Sequence, residues 1–208
     1  RDVNTVKHLV RFASKESIAD VSLNGIVPEI VIINSHNGGC PLSAHLGFFR
    51  LVCANGLMVG TEISKMKWRH KKLDYNEAKQ FMLTAMDEFR EQSKFIPQYQ
   101  KINLSKEQQI NFAEKTIDMV WNGEQFEPEL ILTPKRMSDS ASDLWTTFNV
   151  IQEHITKGGI RYKIPAERRT KPLHEFKTTH QIKNIDREVN VNLMLWGMMH
   201  NFYQEGKF

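Results

Sequence analysis

Two apolar runs that flank a glycine-rich polar loop constrain the fold of this chain more than any other stretch. Residues 27–33 are rich in β-branched side chains, and residues 46–53 carry Arg50 as their single charge. β-Branched residues favour strands. Asn55-Gly56, which follows the second run, is typical of a two-residue hairpin turn, because both central positions of a type I′ turn need positive φ. The sequence therefore predicts two buried strands and a tight turn at Asn55-Gly56.

Alternating apolar and polar residues predict two further strands, at residues 1–13 and 62–70. In the second of these, Lys65, Lys67 and Arg69 share one face of the strand, and Trp68 belongs to the other face. This strand would carry three cations on one side of a sheet.

Helical spacing of apolar residues predicts four amphipathic helices in the remainder of the chain. They lie at residues 75–95, 105–121, 142–157 and 186–203. The second opens with the capping box Ser105-Lys106-Glu107-Gln108, and the third ends at Gly158-Gly159. Residues 128–132 are interpreted as a short extended piece. Residues 160–184 are basic and show no sustained period, so they are expected to form a flexible loop.

The order of these elements, strands first and helices later, predicts one α+β domain over residues 1–208 with a mainly antiparallel sheet. No apolar run reaches the length of about 18 residues that a membrane span needs. The two cysteines lie in or beside apolar runs and form no disulfide framework, which favours a reducing cytoplasm. The chain starts at Arg1, inside a strand pattern, so we expect it to be a fragment that lacks an N-terminal segment.

The net charge of +4 conceals two strongly basic segments. Residues 65–72 hold five lysines or arginines and no acid, and residues 161–183 hold seven against two acids. Such clustering favours a polyanionic partner, although two solvated segments that balance acidic helices remain the alternative. Cations contact phosphates and aromatic rings stack on unpaired bases, so single-stranded DNA is the expected ligand. The predicted nucleic-acid-binding residues are Lys65, Lys67, Arg69, Lys71, Lys72, Arg161, Tyr162, Lys163, Arg168, Arg169 and Lys171.

Within this set, Tyr162 lies between Arg161 and Lys163 and is the candidate for base stacking. Trp68 is opposite to the cations of its strand, so core packing is the favoured interpretation of its ring.

The polar loop between the first two predicted strands is a candidate functional loop, formed by Asn34, Ser35, His36 and Asn37. A histidine on a glycine-rich loop can act as an acid, a base or a ligand. No serine, cysteine or carboxylate is tied to His36 by a recognised spacing, so a turn or capping role is favoured.

Metal and nucleotide motifs are not found. The spacings among the nearby cysteines and histidines match no common zinc site, and no phosphate-binding glycine loop of a known type occurs. We therefore predict no metal and no cofactor.

Several motifs resemble a known family. The segments PEIVIINSHNGG and GFFRLVCANGLMVG, followed by LTPKR, DLWTTFNVIQEHITKGG and IDREVNVNLMLW, are similar to the phage/plasmid-like protein family of unknown function (domain of unknown function 932). The resemblance covers essentially the whole chain. It implies a role in mobile-element biology, in DNA recombination or replication or in interference with host defence. Asn37 stands where the family often has Asp, so an activity that used that carboxylate would be absent here.

Three functional hypotheses follow. The first is a non-enzymatic DNA-handling protein of a phage or other mobile element, which binds single-stranded DNA, acts in strand annealing or recombination, and forms a homo-oligomer. The second is an anti-defence protein that binds a host protein. The third is an enzyme that acts on nucleic acid or nucleotides around His36. Each places the protein in the cytoplasm of a bacterial host, with no membrane partner.

Overall fold

The structure, a computed structural model, describes residues 7–13, 26–35, 41–50, 55–58, 65–68, 74–121, 126–168 and 175–208. The fold is α+β, as predicted: an antiparallel sheet comes first along the chain, and most of the helices follow it. The chain divides into two compact units, Arg1–Ile96 and Pro97–Phe208. That the two units act as one domain stays a prediction.

The first unit contains a five-stranded antiparallel sheet. Its strands are β1 (Lys7–Ala13), β2 (Ile26–Ser35), β3 (Leu42–Arg50), β4 (Asn55–Met58) and β5 (Lys65–Trp68). β1 pairs with β2, and β2 pairs with β3. In addition to β2, strand β3 pairs with β4 through residues 47–50 and with β5 through residues 42–45. The long strand β3 therefore joins all the later strands to the sheet.

Apolar and polar side chains are both buried on one side of this sheet. Val31 is completely buried and lies opposite His45, and Ile33 is buried opposite Ser43. Ser43 and His45 are also buried, and the Ser43 Oγ lies 3.2 Å from the His45 Nε2. Directly opposite residues of an antiparallel pair share a side of the sheet, so these four side chains form one buried layer.

Helix α1 (Tyr75–Ser93) completes the first unit. Asp74 begins it, because its carboxylate accepts hydrogen bonds from the backbone N–H groups of Asn76 at 2.7 Å and Glu77 at 3.4 Å. The helix contacts β3 and buries Phe81.

The turn predicted at Asn55-Gly56 is wrong, although the hairpin itself is present. Asn55 pairs with Arg50 and Gly56 pairs with Phe49, so both residues already belong to β4. Residues 51–54, between the paired ends of β3 and β4, lie outside the described residues. The preference of Asn-Gly for a turn is local, and pairing with β3 overrides it.

The second unit is mainly helical. Its helices are α3 (Lys106–Trp121), α4 (Glu129–Leu132), α5 (Leu144–Lys157) and α6 (Ile185–Glu205), and a short helix α2 (Ile96–Tyr99) crosses the division between units. The predicted capping box is confirmed. The Ser105 Oγ accepts from the Gln108 N–H at 3.1 Å, and the Gln108 Oε1 accepts from the Ser105 N–H at 2.8 Å.

Helix α5 forms the centre of this unit and contacts α3, α4 and α6. Trp145, Phe148 and Ile151 are all buried, and the first two rings stack with centroids 5.6 Å apart. Trp196 of α6 meets both rings edge-on. Aromatic pairs of this kind add to the stabilisation from buried area, so α5 and α6 share one aromatic core.

Two local predictions for this unit need correction. Residues 128–132, expected to be extended, contain α4, in which the Ile131 N–H donates to the Pro128 carbonyl at 3.1 Å. The φ of Pro128 is −57°, which suits a helix start. Residues 160–184, expected to be a loop, contain strands β6 (Arg161–Lys163) and β7 (Phe176–Thr178) and a 3₁₀ turn at Ala166–Arg168. Segments of three or four residues are too short to display a recognisable period.

Candidate nucleic-acid interface

Strands β6 and β7 form a small antiparallel hairpin that holds part of the second basic segment. Tyr162 lies opposite Lys177, and Lys163 lies opposite Phe176. Backbone hydrogen bonds extend the ladder at both ends, because the Thr179 N–H donates to the Ile160 carbonyl at 2.9 Å and the Ile164 N–H donates to the Glu175 carbonyl at 2.8 Å. The hairpin is therefore a defined scaffold for its side chains.

One face of this hairpin combines two cations with an exposed ring. Arg161 and Lys163 are exposed, whereas Tyr162 between them is only 4% exposed. Phe176 is 48% exposed, and the Arg161 guanidinium lies over its ring at 4.3 Å from the centroid. That distance is typical of a cation–π contact. We call Arg161, Lys163 and Phe176 the hairpin platform.

An open groove of about 510 Å³ borders the hairpin platform along β6. Its lining consists of Phe126, Glu127, Leu130, Arg161, Tyr162 and Lys163. The Phe126 ring packs on Tyr162 with centroids 4.9 Å apart. The lining therefore combines two aromatic rings with the cations Arg161 and Lys163 and one acid, Glu127.

Comparison with known proteins places the chain in a family. Residues 7–196 match the family described as "Domain of unknown function (DUF932)". The chain belongs to the DUF932 family. It is 29% identical over 195 residues to UPF0380 protein YfjQ of Escherichia coli (strain K12), which covers 92% of this chain and 67% of that protein. UPF0380 protein YafZ of the same strain shows the same identity and coverage. No solved structure matches.

The position of Tyr162 does not favour the predicted base stacking. The ring is buried and packs on Phe126, so stacking on a base would require Phe126 to move. The exposed ring of the hairpin is Phe176 instead. Sequence analysis missed it, because Phe176 joins Arg161 and Lys163 only through the register of two three-residue strands.

The structure places two of the predicted lysines in the sheet. Both belong to β5, whose backbone register pairs Lys65 with His45 and Lys67 with Ser43. Contact of these lysines with nucleic acid stays a prediction.

Several predicted residues lie outside the described part of the chain: His36, Asn37, Arg69, Lys71, Lys72, Arg169 and Lys171. Arg168 ends the 3₁₀ turn at Ala166–Arg168. Of the candidate functional loop, Asn34 and Ser35 are described as the last residues of β2, where the Asn34 Oδ1 accepts from the Ser35 N–H at 2.8 Å. Ser35 is buried. A role for the remainder of this loop stays a prediction.

A buried ionic cluster connects the LTPKR motif to α5. Arg136 donates to the Asp139 carboxylate at 2.8 Å and also to Glu153, which Lys157 contacts at 2.8 Å. Burial alone would raise the pKa of Glu153, but the hydrogen bonds from Arg136 and Lys157 outweigh it and hold this pKa below its usual range. Glu153 is thus a paired carboxylate that fixes the motif, not a general acid near neutral pH.

His154 adds a second link between α5 and this motif. Its Nε2 lies 2.7 Å from the Thr133 carbonyl oxygen, which can only accept, so Nε2 carries the proton. Burial holds the pKa of His154 below its usual value.

Among the described residues, no three His, Cys, Asp or Glu side chains converge as ligands for a metal ion. Within the same ranges, no helix is both long enough and apolar enough to cross a membrane.

Proposed function

We propose that this DUF932 chain binds single-stranded nucleic acid on the hairpin platform. The observation that carries the proposal is the half-exposed Phe176 ring, with Arg161 over it and Lys163 opposite it in the ladder. Exposure of the apolar ring to water is unfavourable, and a base that displaces the Arg161 guanidinium and stacks on the ring would cover it. In this proposal, the two cations on the same face contact the phosphates on either side of that base.

Single strands are favoured over duplex for a physical reason. A base can stack on Phe176 only when it is not already stacked and paired in a duplex, so the ring selects unpaired nucleotides. Neither stacking nor phosphate contact distinguishes one base from another, and the binding should depend little on sequence.

Single-stranded DNA of a mobile element is the ligand in this proposal, and strand annealing or recombination in the cytoplasm of a bacterial host is the role. The motifs similar to phage/plasmid-like proteins support this part. An assembly of several copies along the strand would be the working form, because one platform offers a single stacking ring.

A matched pair of truncations tests the platform. Phe176→Ala should weaken binding of a labelled oligothymidylate by roughly 5- to 150-fold, the effect of about 1–3 kcal/mol for one stacked base. Met137→Ala is the control, since Met137 is 94% exposed but lies outside the platform. Fluorescence anisotropy gives both affinities. Equal affinities for the two variants would refute stacking on Phe176.

A host protein as the partner is the second candidate, and one observation favours it. Val10 and Phe12 on β1 are 48% and 56% exposed, on the side of that strand that also carries exposed His8. Among the described residues on this side of β1, two are apolar and none is a lysine or an arginine. Under the first proposal, Phe12→Asp should leave oligonucleotide binding unchanged. The second candidate would be favoured if the wild type bound no DNA but formed a complex with a host protein, and if Phe12→Asp abolished that complex.

A further inference from the structure

A second cavity, of about 240 Å³, lies next to the opposite face of the β6–β7 hairpin. Tyr162 and Lys177, which lie opposite each other in the ladder, both line it. Trp121 at the end of α3, residues 178–184, which lead into α6, and Arg187 in the first turn of α6 complete the wall. The cavity is therefore assembled from three separate parts of the second unit.

The charge of this wall is one-sided. Lys177, Lys183 and Arg187 line the cavity, and none of the described residues in its lining is an aspartate or a glutamate. Two threonine hydroxyls, Thr178 and Thr179, are present as well. Three cations without a lining acid attract an anion with more than one charge.

Arg187 is held in place by the fold. Its Nη2 donates to the carbonyl oxygen of Val120 at 2.6 Å, which uses one of the five N–H donors of the guanidinium. A guanidinium anchored at one corner loses little freedom when its other donors bind an anion. The start of α6 is not what defines the site, because the Asn184 side chain already accepts from the Arg187 backbone N–H at 2.9 Å.

The ligand class follows from charge and size. A phosphate monoester carries about −1.5 to −2 at pH 7 and offers three acceptor oxygens, whereas a phosphodiester within a strand carries one charge. The cavity is smaller than the clefts of about 300–1,000 Å³ that enclose drug-sized ligands, so it suits a phosphate with its sugar. The Trp121 and Tyr162 rings provide an apolar wall for that sugar.

We propose that this cavity binds a terminal phosphate monoester of a nucleic-acid strand. This inference rests on the proposed function, because the strand end would come from a strand held on the hairpin platform. The hairpin is only two strands wide, so a strand that leaves the platform reaches the cavity by passing around one edge of the ladder. The protein would then distinguish a strand end from the interior of a strand.

The test compares oligothymidylates that carry a phosphate at the 5′ end, at the 3′ end or at neither end. The wild type should bind one of the phosphorylated strands about tenfold more tightly than the unphosphorylated strand. The double variant Lys177→Gln/Lys183→Gln should lose that advantage and keep the affinity for the unphosphorylated strand within about twofold. Lys115→Gln, on the exposed face of α3, is the control and should keep the advantage.

The outcomes separate the two proposals. If the unphosphorylated strand binds and neither terminal phosphate adds affinity, the cavity proposal is overturned and the platform stands. If no strand binds, the platform fails, and the strand-end inference fails with it. The last experiment adds thymidine 5′-monophosphate and follows the indole NMR resonance of Trp121. If this resonance shifts although no strand binds, the cavity belongs to a free nucleotide and the strand-end proposal is overturned.

Discussion

Replacing Gly158 by alanine should disrupt the junction between α5 and the segment that lines the cationic cavity. Gly158 follows α5 with φ 64° and ψ −151°, a conformation that is essentially restricted to glycine. A Cβ there would lie 2.5 Å from the carbonyl carbon of His180 and 2.7 Å from the N of Gln181. Both neighbours are backbone atoms, so they cannot move aside by a change of rotamer.

The neighbouring glycine provides a matched control. Gly159 has φ 86°, but a Cβ there would meet nothing within 4 Å. Gly159→Ala should therefore cost only the conformational strain, about 1–2 kcal/mol. Gly158→Ala should cost about 1–3 kcal/mol of strain and about 1–3 kcal/mol more for overpacking, giving roughly 2–6 kcal/mol. Gly197→Ala, inside α6 with open space around it, should be neutral or stabilising by up to about 1 kcal/mol.

Equilibrium unfolding in urea, followed by tryptophan fluorescence, measures these differences. Three of the four tryptophans, at positions 121, 145 and 196, belong to the second unit and report on its unfolding. The order of stability should be Gly197→Ala, then Gly159→Ala, then Gly158→Ala. Equal losses for the two variants at the end of α5 would refute the close approach of His180 to Gly158.

The remaining predictions concern buried charge in the second unit. Arg136→Met should lower the free energy of unfolding by about 3–5 kcal/mol, because it leaves the buried carboxylates of Asp139 and Glu153 without their shared partner. Lys94→Met breaks an exposed pair with Glu91 in the first unit and should change the free energy of unfolding by no more than about 0.5 kcal/mol. Similar losses for the two variants in urea unfolding would contradict the buried cluster. Burial lowers the pKa of His154 in the folded protein. As the pH falls, the unfolded chain therefore binds a proton at this residue before the folded protein does, and the free energy of unfolding should fall below about pH 6.5. An NMR titration in which His154 becomes charged at or above pH 6.5 would disprove this.

Features that depend on local sequence were predictable. The long helices follow from the spacing of apolar residues, and the capping box Ser105–Gln108 follows from four adjacent residues whose hydrogen bonds are both present. The end of α5 at Gly158 was also predictable from local sequence, because the positive φ at that position favours glycine. The α+β class follows from the order of these elements along the chain.

Features that depend on pairing between distant residues were not predictable from the sequence. The position of the β3–β4 connection depends on the register that pairs Arg50 with Asn55, not on the preference of Asn-Gly for a turn. The contact of Arg136 with Glu153 spans 17 positions. Phe176 and Arg161 are also distant in sequence, and three-residue strands give no periodic signal. The basic composition of the segment indicated a class of ligand, but only the fold indicates which ring is exposed to it.

Affinity for single-stranded and duplex oligonucleotides between about 50 and 200 mM salt tests nucleic-acid binding most directly. The wild type should bind a labelled oligothymidylate more tightly than a duplex of the same length, and the logarithm of its affinity should fall linearly with the logarithm of the salt concentration. The double variant Arg161→Gln/Lys163→Gln should reduce that slope by about 1.4, which corresponds to two lost phosphate contacts at about 0.7 each. Absence of binding at the lowest salt, equal affinity for the duplex, or an unchanged slope in the double variant would contradict the proposed role of the hairpin platform.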